Sequence, residues 1–385
     1  MKCAIIFPMT KNQMSPAQWI DSDAALAKVC PVLSASPMLG VDTESNSLYV
    51  YKEQVCLIQI STLDQDYLID PLSIKDISPL APIFASPDTE KIFHAAEYDV
   101  ICLKRDFNFE INAIFDTMLA ARILGKKNNG LGAILEEEYG IVVDKRFQRA
   151  NWGKRPISQE MLYYAQMDSH FLIELRQKFH KQLQETERIG LADEDFSRLS
   201  KIEPPRAPSY ETDAWKLANG QSYQNKQLSV LMALCQYRDQ LAQERNVPLF
   251  KIFPNQFIQA LVENMPSNRD EIFSMGYSSM KQVSPYIQPI LKIIAEARLN
   301  KANFHAQYTQ KPDWEFFKRM DALRSWRKQK AVQMKVMSDI ILPKDILMDI
   351  TQENPHSMTK LAEIMKDNPW RYQAFGEEIL TVIHE

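Results

Sequence analysis

The chain has 385 residues, 45% hydrophobic and 24% charged, with 10 Gly and 21 Pro; these are globular values over a length of two to four domains, which exclude a disordered, collagenous or low-complexity chain. No apolar run nears the ~18 residues of a membrane span, Pro8 breaks the short apolar start, and the five Cys are scattered without a Cys-x-x-Cys pair, so no membrane span, secretory leader, disulfide frame or zinc site is expected, and reduced thiols in the cytoplasm are. The formal charge of −4 divides into −7 over residues 1–200 and +3 over 201–385: an acidic half that suits cations, then a mildly basic half compatible with a polyanion.

In chain order, Pro37–Asp42 is a short apolar run ending in acid. Val55–Ser61 and Tyr67–Asp70 are β-rich and close together, as in a hairpin, and Lys91–His94 is another short strand. Helical patterns follow over 97–106, 116–124, 131–139 and 158–180. Strands first and βα alternation afterwards predict a mixed α/β sheet with helices on its faces.

Residues 201–213 hold three prolines and no apolar periodicity, the mark of a linker. Few contacts should cross such a linker, and a cut near residue 205 should leave the first half folded. Every later segment is helical in pattern. That half also repeats itself: with a shift of 89, Leu234-x-x-Tyr237-Arg238 overlays Leu323-x-x-Trp326-Arg327. Phe253-Pro254 falls on Leu342-Pro343, Ile272 on Leu361, and Ile290-Leu291 on Ile379-Leu380. A gapless register over some seventy residues predicts two copies of one small helical domain. In each copy these apolar positions should be buried.

The chemistry lies in carboxylates. Asp42 and Glu44 end an apolar strand, and their i, i+2 spacing sets them on one face. Asp168 interrupts the apolar stripe Met161, Ala165, Leu172, Leu175, Phe179, where a carboxylate costs several kcal/mol unless a cation or hydrogen bonds compensate. Tyr164 stands one turn before it. Glu97 and Asp99 open a helix after the strand Lys91–His94. Asp42, Glu44, Asp99 and Asp168 together offer four hard oxygen donors, which suit Mg²⁺ or Mn²⁺. Two such ions about 4 Å apart can activate a water and stabilise the leaving oxygen of a phosphodiester.

The segments Val41-Asp42-Thr43-Glu44, Val55–Ile60, His94-Ala95-Ala96-Glu97-Tyr98-Asp99 and Tyr164-Ala165-Gln166-Met167-Asp168 resemble the three motifs of the DEDDy 3′–5′ exonucleases. The likeness is greatest to the ribonuclease D family, and Asp144-Lys145-x-x-Gln148-x-x-x-Trp152-x-x-Arg155-Pro156 is similar to that family too. Each helical copy is similar to the HRDC domain. The resemblance implies a ribonuclease H-like exonuclease domain over residues 1–203, a linker over 204–220, and two HRDC-like domains over 221–299 and 313–385. It implies hydrolysis of RNA from a single-stranded 3′ end, tRNA precursors included, with release of nucleoside 5′-monophosphates. In that scheme Asp42 bridges two ions, Glu44 and Asp168 complete one site, Asp99 helps hold the other ion, and Tyr164 positions the water. Ser45 departs from the Phe common in bacterial members, and Asp42-Thr43-Glu44-Ser45-x-Ser47 is closer to the exosome-associated branch.

Lys145, Gln148 and Arg155 could hold RNA phosphates. His94 reads as a core or supporting histidine. The basic run Lys318, Arg319, Arg324, Arg327, Lys328, Lys330, Lys335, with Trp326 inside it, could hold a phosphate backbone. No membrane partner and no obligate protein partner is evident. A DNA exonuclease and a non-catalytic scaffold are the alternatives, and four converging acids would serve a scaffold nothing.

Overall fold

A computed structural model describes residues 14–205, 209–219, 221, 223–277, 283–299 and 314–384. Cys3 and the connector 300–312 fall outside these residues. The chain forms two compact units, one of residues 1–44, 55–204 and 309–385, the other of 45–54 and 205–308.

The first unit is built on a six-stranded sheet: β1 (Gln18–Ile20), β2 (Met38–Ser45), β3 (Val55–Ser61), β4 (Asp66–Ile69), β5 (Glu90–Phe93) and β6 (Ile114–Asp116). Their order is β1-β4-β3-β2-β5-β6, with β3 antiparallel to β4 and the pairs β1/β4, β2/β5 and β5/β6 parallel. This is the mixed sheet that the strand-then-βα pattern predicts. β3 is buried along its whole length, which is why its sequence is continuously β-rich rather than alternating. Helices α1 (Asp23–Ala35), α2 (Ala81–Ala85), α3 (Glu97–Phe107), α4 (Thr117–Ile123), α5 (Leu131–Tyr139), α6 (Gln159–His170), α7 (Leu172–Glu185) and α8 (Ile189–Ser200) complete the α/β part. The single helix expected over 158–180 is two, broken at Phe171.

Gly40 sets how close α6 comes to β2. A Cβ there would meet the Ser169 carbonyl oxygen at 2.5 Å and Leu172 Cβ at 3.3 Å. Gly40, Asp42 and Glu44 share one face of the strand, so this close approach also brings the end of α6 up to both acids. Side-chain bonds lock α6 in place. Gln166 Nε2 donates to Asp66 Oδ2 (2.6 Å), His170 Nδ1 lies 2.8 Å from the same oxygen, and the Ser61 and Ser169 hydroxyls are 2.8 Å apart.

In the second unit α9 (Tyr210–Ala218), α10 (Asn225–Arg245), α11 (Leu249–Ile252), α12 (Asn255–Asn264), α13 (Arg269–Ile272) and α14 (Ile287–Ala297) pack around one core. The stretch 204–220 is therefore not all linker. Ser209 and Thr212 form a capping box that starts α9, and the buried Arg238 pairs with Asp213 on that helix. The apolar periodicity of α9 is carried by only Ala214 and Leu217, too few to read through the prolines before it.

The second copy is α15 (Trp314–Met334), α16 (Ser338–Ile341), α17 (Lys344–Glu353), α18 (Met358–Ile364) and α19 (Pro369–His384). After the shift of 89, α10, α11 and α12 coincide residue for residue with α15, α16 and α17. The left-handed helix ends coincide as well, Asn246 (φ 48°) with Lys335 (φ 57°) and Met265 with Asn354 (both φ 45°). Arg238 donates to the Phe253 carbonyl at 3.0 Å, and Arg327 to the Leu342 carbonyl at 2.9 Å. Leu234, Ile272 and Ile290 are buried in one copy, and Leu323, Trp326, Leu361 and Ile379 in the other; Tyr237 is half-buried.

The second copy shares its core with the α/β fold, so the expectation that few contacts cross residue 205 fails there. Ile340 sits in one cluster with Ile123, Ile134, Leu135 and Leu191. Arg371, fully buried, pairs with Glu194 (2.8 Å) and Asp195 (2.9 Å) and donates to the carbonyls of Ile340 and Ile341. A cut near 205 would uncover that cluster and strand Glu194 and Asp195 without their cation, so the first half would not stay intact as expected.

Gly40→Ala should destabilise the protein by roughly 1–3 kcal/mol, the usual range for overpacking a filled interior. It should also lower divalent-ion affinity, because α6 must move off β2. Chemical denaturation and metal titration would measure both; an unchanged unfolding midpoint would show that the β2–α6 approach is not tight.

Candidate active site

The two acids expected at the end of a strand lie inside it, because β2 continues to Ser45. Asp42 and Glu44 face Asp168 of α6. One carboxylate oxygen from each of the three lies within 4.8 Å of the others, the one such acidic group among the described residues. Asp99, in the first turn of α3, lines the same cleft but stands outside that group of three. Its Oδ1 accepts from Thr43 Oγ1 at 2.5 Å. All four acids expected from the sequence thus share one cleft, three of them within bridging reach.

Two residues that the sequence reading missed hold Asp99 there. Thr43, on the opposite face of β2 from Asp42, supplies the hydroxyl. Asp116 caps α4 and accepts from the Ala95 and Ala96 amides (3.1 and 2.8 Å), pinning the turn that opens α3. Ala95 takes φ +66° in that turn. Thr in a strand and Asp before a helix both have ordinary structural readings, so neither stands out in a sequence.

Electrostatics follow from burial. Desolvation, reinforced by Asp99, Asp168 and Glu44, pushes the Asp42 carboxyl well above the usual range. Glu44 rises for the same reason, with Asp168 and Asp99 adding repulsion. Burial lifts Asp99 to about 7 against the lowering bonds from Thr43, and lifts Asp168 to about 7 against the bond from Tyr164. Among the described residues, no basic side chain figures in the main influences on any of the four. Such a donor set of oxygens without counter-charge fits a hard divalent cation.

The Tyr164 hydroxyl donates to Asp168 one turn on, and the ring packs against Phe147 and Trp152. Burial and the neighbouring acids push its pKa up, so it stays a neutral phenol. His94 lines the cleft wall with Nδ1 2.9 Å from Thr117 Oγ1, and burial lowers its pKa to about 4, so it is a neutral support.

The cleft encloses ≈ 700 Å³. Lys145 and Gln148 line it. Arg155 does not. Its guanidinium pairs with the buried Asp70 (2.8 and 2.6 Å) and donates to the Cys56 and Trp152 carbonyls, which makes it a structural brace. Residues 127–133, the end of the loop after α4 and the first turn of α5, also line the cleft and form a wall to which the sequence reading gave no role in the site. In the basic run of the second copy, Trp326 and Lys330 bond to Glu378, and Arg319 and Arg327 donate to backbone carbonyls. These four serve the helical core first.

Residues 17–184 match the 3′-5′ exonuclease family, and residues 227–294 and 316–383 each match the HRDC domain. The chain is 26% identical over 373 residues to ribonuclease D of Pseudomonas paraeruginosa, covering 95% of this chain and 97% of that one. It is 28% identical over 312 residues to the exosome complex exonuclease RRP6 of Saccharomyces cerevisiae, covering 77% of this chain and 43% of that one. The chain thus spans less than half the length of the first RRP6-type relatives it matches. The crystal structure of Escherichia coli RNase D shares the fold, with a TM-score of 0.71 over 96% of this chain and 98% of that one, at 23% identity. Fold and cleft together define a 3′–5′ exonuclease domain joined to two HRDC domains. Within that class, the chain is similar to bacterial ribonuclease D along most of its length.

The raised acids set a pH dependence. In metal-free protein they bind protons between about pH 4, where unfolded carboxylates titrate, and about pH 7, where Asp99 and Asp168 do. The folded state then holds more protons than the unfolded one, so stability falls as pH rises through that window. Asp42→Asn should therefore raise the melting temperature in EDTA at pH 8 and matter less at pH 5. Wild-type melting that is flat across the window, and unmoved by Asp42→Asn, would show that the acids are not strained.

Proposed function

We propose that the protein is a metal-dependent 3′–5′ exoribonuclease that removes nucleotides one at a time from single-stranded 3′ ends. The observation that carries this reading is the convergence of Asp42, Glu44 and Asp168 in a cleft they share with Asp99 and Tyr164. Asp42, Glu44 and Asp168 would hold one divalent ion, and Asp42 with Asp99 a second; Mg²⁺ and Mn²⁺ suit these hard oxygens. When bound, two such ions supply the positive charge that activates a water and offsets charge on the leaving oxygen.

The chain's own residues set the geometry. Tyr164 is too weak an acid to lose its proton, so it acts by orientation: the hydroxyl, tied to Asp168, directs the attacking water at the terminal phosphodiester. Water adds to phosphorus and the P–O3′ bond breaks. The products are a nucleoside 5′-monophosphate and a strand ending in a new 3′-hydroxyl. Lys145 and Gln148 line the cleft where the strand's phosphates would run.

Precursors of tRNA and other small structured RNAs are the substrates this reading favours, as the resemblance of the motifs to the ribonuclease D family implies. The domain limits follow from it: exonuclease to about 203, HRDC-like copies over 221–299 and 313–385. A cytoplasmic setting fits too; no disulfide joins the described cysteines and no described helix is long and apolar enough to cross a membrane.

The deciding assay uses 3′-labelled and 5′-labelled RNA and matched DNA, each with Mg²⁺, Mn²⁺ or EDTA. Stepwise loss of the 3′ label with RNA and metal is expected. Asp42→Asn should abolish hydrolysis and leave RNA binding largely intact. Tyr164→Phe should lower kcat by roughly 10²-fold, the scale of one lost catalytic hydrogen bond, with metal affinity little changed. Wild-type kcat in Tyr164→Phe would reduce the tyrosine to packing.

A further inference from the structure

We propose that the second helical copy is a positioning element of the cleft: it grips the chain segment that leads into the cleft wall and so fixes where that wall stands. The proposal rests on reading the cleft as the RNA site.

The grip covers Arg122 and Ile123 at the end of α4 and Gly125 just past it. Arg122 pairs with Asp339 of α16. The Ile123 carbonyl accepts from Arg188 Nη1 (2.6 Å), while Arg188 Nη2 donates to the Met334 carbonyl at the end of α15 (2.7 Å), so one guanidinium ties the two backbones together. Gly125, at φ +81°, lies so near the Lys335 carbonyl oxygen that a Cβ would collide with it. Ile340 fills the core beneath, beside Ile123, Ile134 and Leu135. Two residues after Gly125 the wall begins: residues 127–133 all line the cleft, and none of them is a carboxylate.

The other copy offers an independent observation. It uses the corresponding face in its own unit, again on a segment of the exonuclease sequence. Asn246, the counterpart of Lys335, accepts from the Tyr51 amide at 3.2 Å, and the Tyr51 hydroxyl donates to Asp239 at 2.6 Å. Lys251, the counterpart of Ile340, lies 4.6 Å from the Tyr49 ring. The segment held, 45–54, begins one residue after Glu44. The end of the long helix and the short helix after it are thus a holding face in both copies.

The test uses the full chain. Gly125→Ala drives a Cβ into the Lys335 carbonyl. Arg188→Ala removes the shared guanidinium but leaves the Ile123–Ile340 packing, so it keeps the fold if Gly125→Ala does not. Hydrogen exchange and steady-state hydrolysis of a short single-stranded RNA are then measured. Exchange of the 126–133 amides should speed up roughly fivefold to tenfold, as expected for one or two lost hydrogen bonds, with α3 and α6 unchanged. KM should rise several-fold, with kcat and Mn²⁺ affinity near wild type because the acids are untouched. A cooperatively melting Arg188→Ala variant with wild-type exchange over 126–133 and wild-type KM would overturn the proposal. If the wild type cleaves no RNA, the functional reading fails, and the exchange result still decides whether the copy holds the wall.

Discussion

Four carboxylates are held in one cleft, none of them in an ion pair with a described basic side chain, and much of the exonuclease fold is arranged to keep them there. Left free, the acids would turn to water or draw in cations. Two basic side chains in nearby sequence are engaged elsewhere, Arg155 by Asp70 and Lys126 by Glu137 and Glu138, while Lys127 and Lys145 line the cleft without pairing to the acids. The acids are fixed from behind. Gly40 admits α6 to β2, the Asp66–Gln166–His170 bonds hold α6 in place, and Asp116 and Thr43 set the turn and the carboxylate of Asp99. The supports come from several elements, β2, β4, β6 and α6, so the acids are held from more than one direction. The repulsion is stored as raised pKa values, and a divalent cation is the species that releases it.

This division of labour decided what could be read from the sequence. Asp168 was legible because it breaks an apolar stripe, whereas Asp42 with Glu44, at what reads as a polar strand end, gained meaning only from the motif around them. Asp99 needed the motif around it, since an acid in a first helical turn is unremarkable by itself. The supports were not legible. Thr43 reads as a β-former and Asp116 as a helix cap, and both are those things as well. Arg155 and Lys145 look alike in a basic stretch; only the fold shows that one guanidinium turns inward to Asp70 while the other side chain faces the cleft. Strands of three residues, such as β1 and β6, are too short to show a period.

The repeat shows the same contrast between buried pattern and outward face. Its register was legible because core positions are constrained by packing, and the helix ends follow that register residue for residue. What surrounds each copy is set by exposed positions, which obey no period. At the short helix after the long one, the first copy has Phe250-Lys251 and the second Asp339-Ile340. The second pair suits a place where the acid meets Arg122 and the apolar side chain enters a shared core. Lysine at 340 would bury an ammonium among isoleucines and leucines, and isoleucine at 251 would give up the cation that lies over Tyr49. The copies therefore share a fold without being interchangeable. The cluster that joins the second copy to the exonuclease fold is lined on one side by the helices that carry the cleft wall, so the catalytic unit is better defined by what shares that core than by the proline-rich stretch in the sequence.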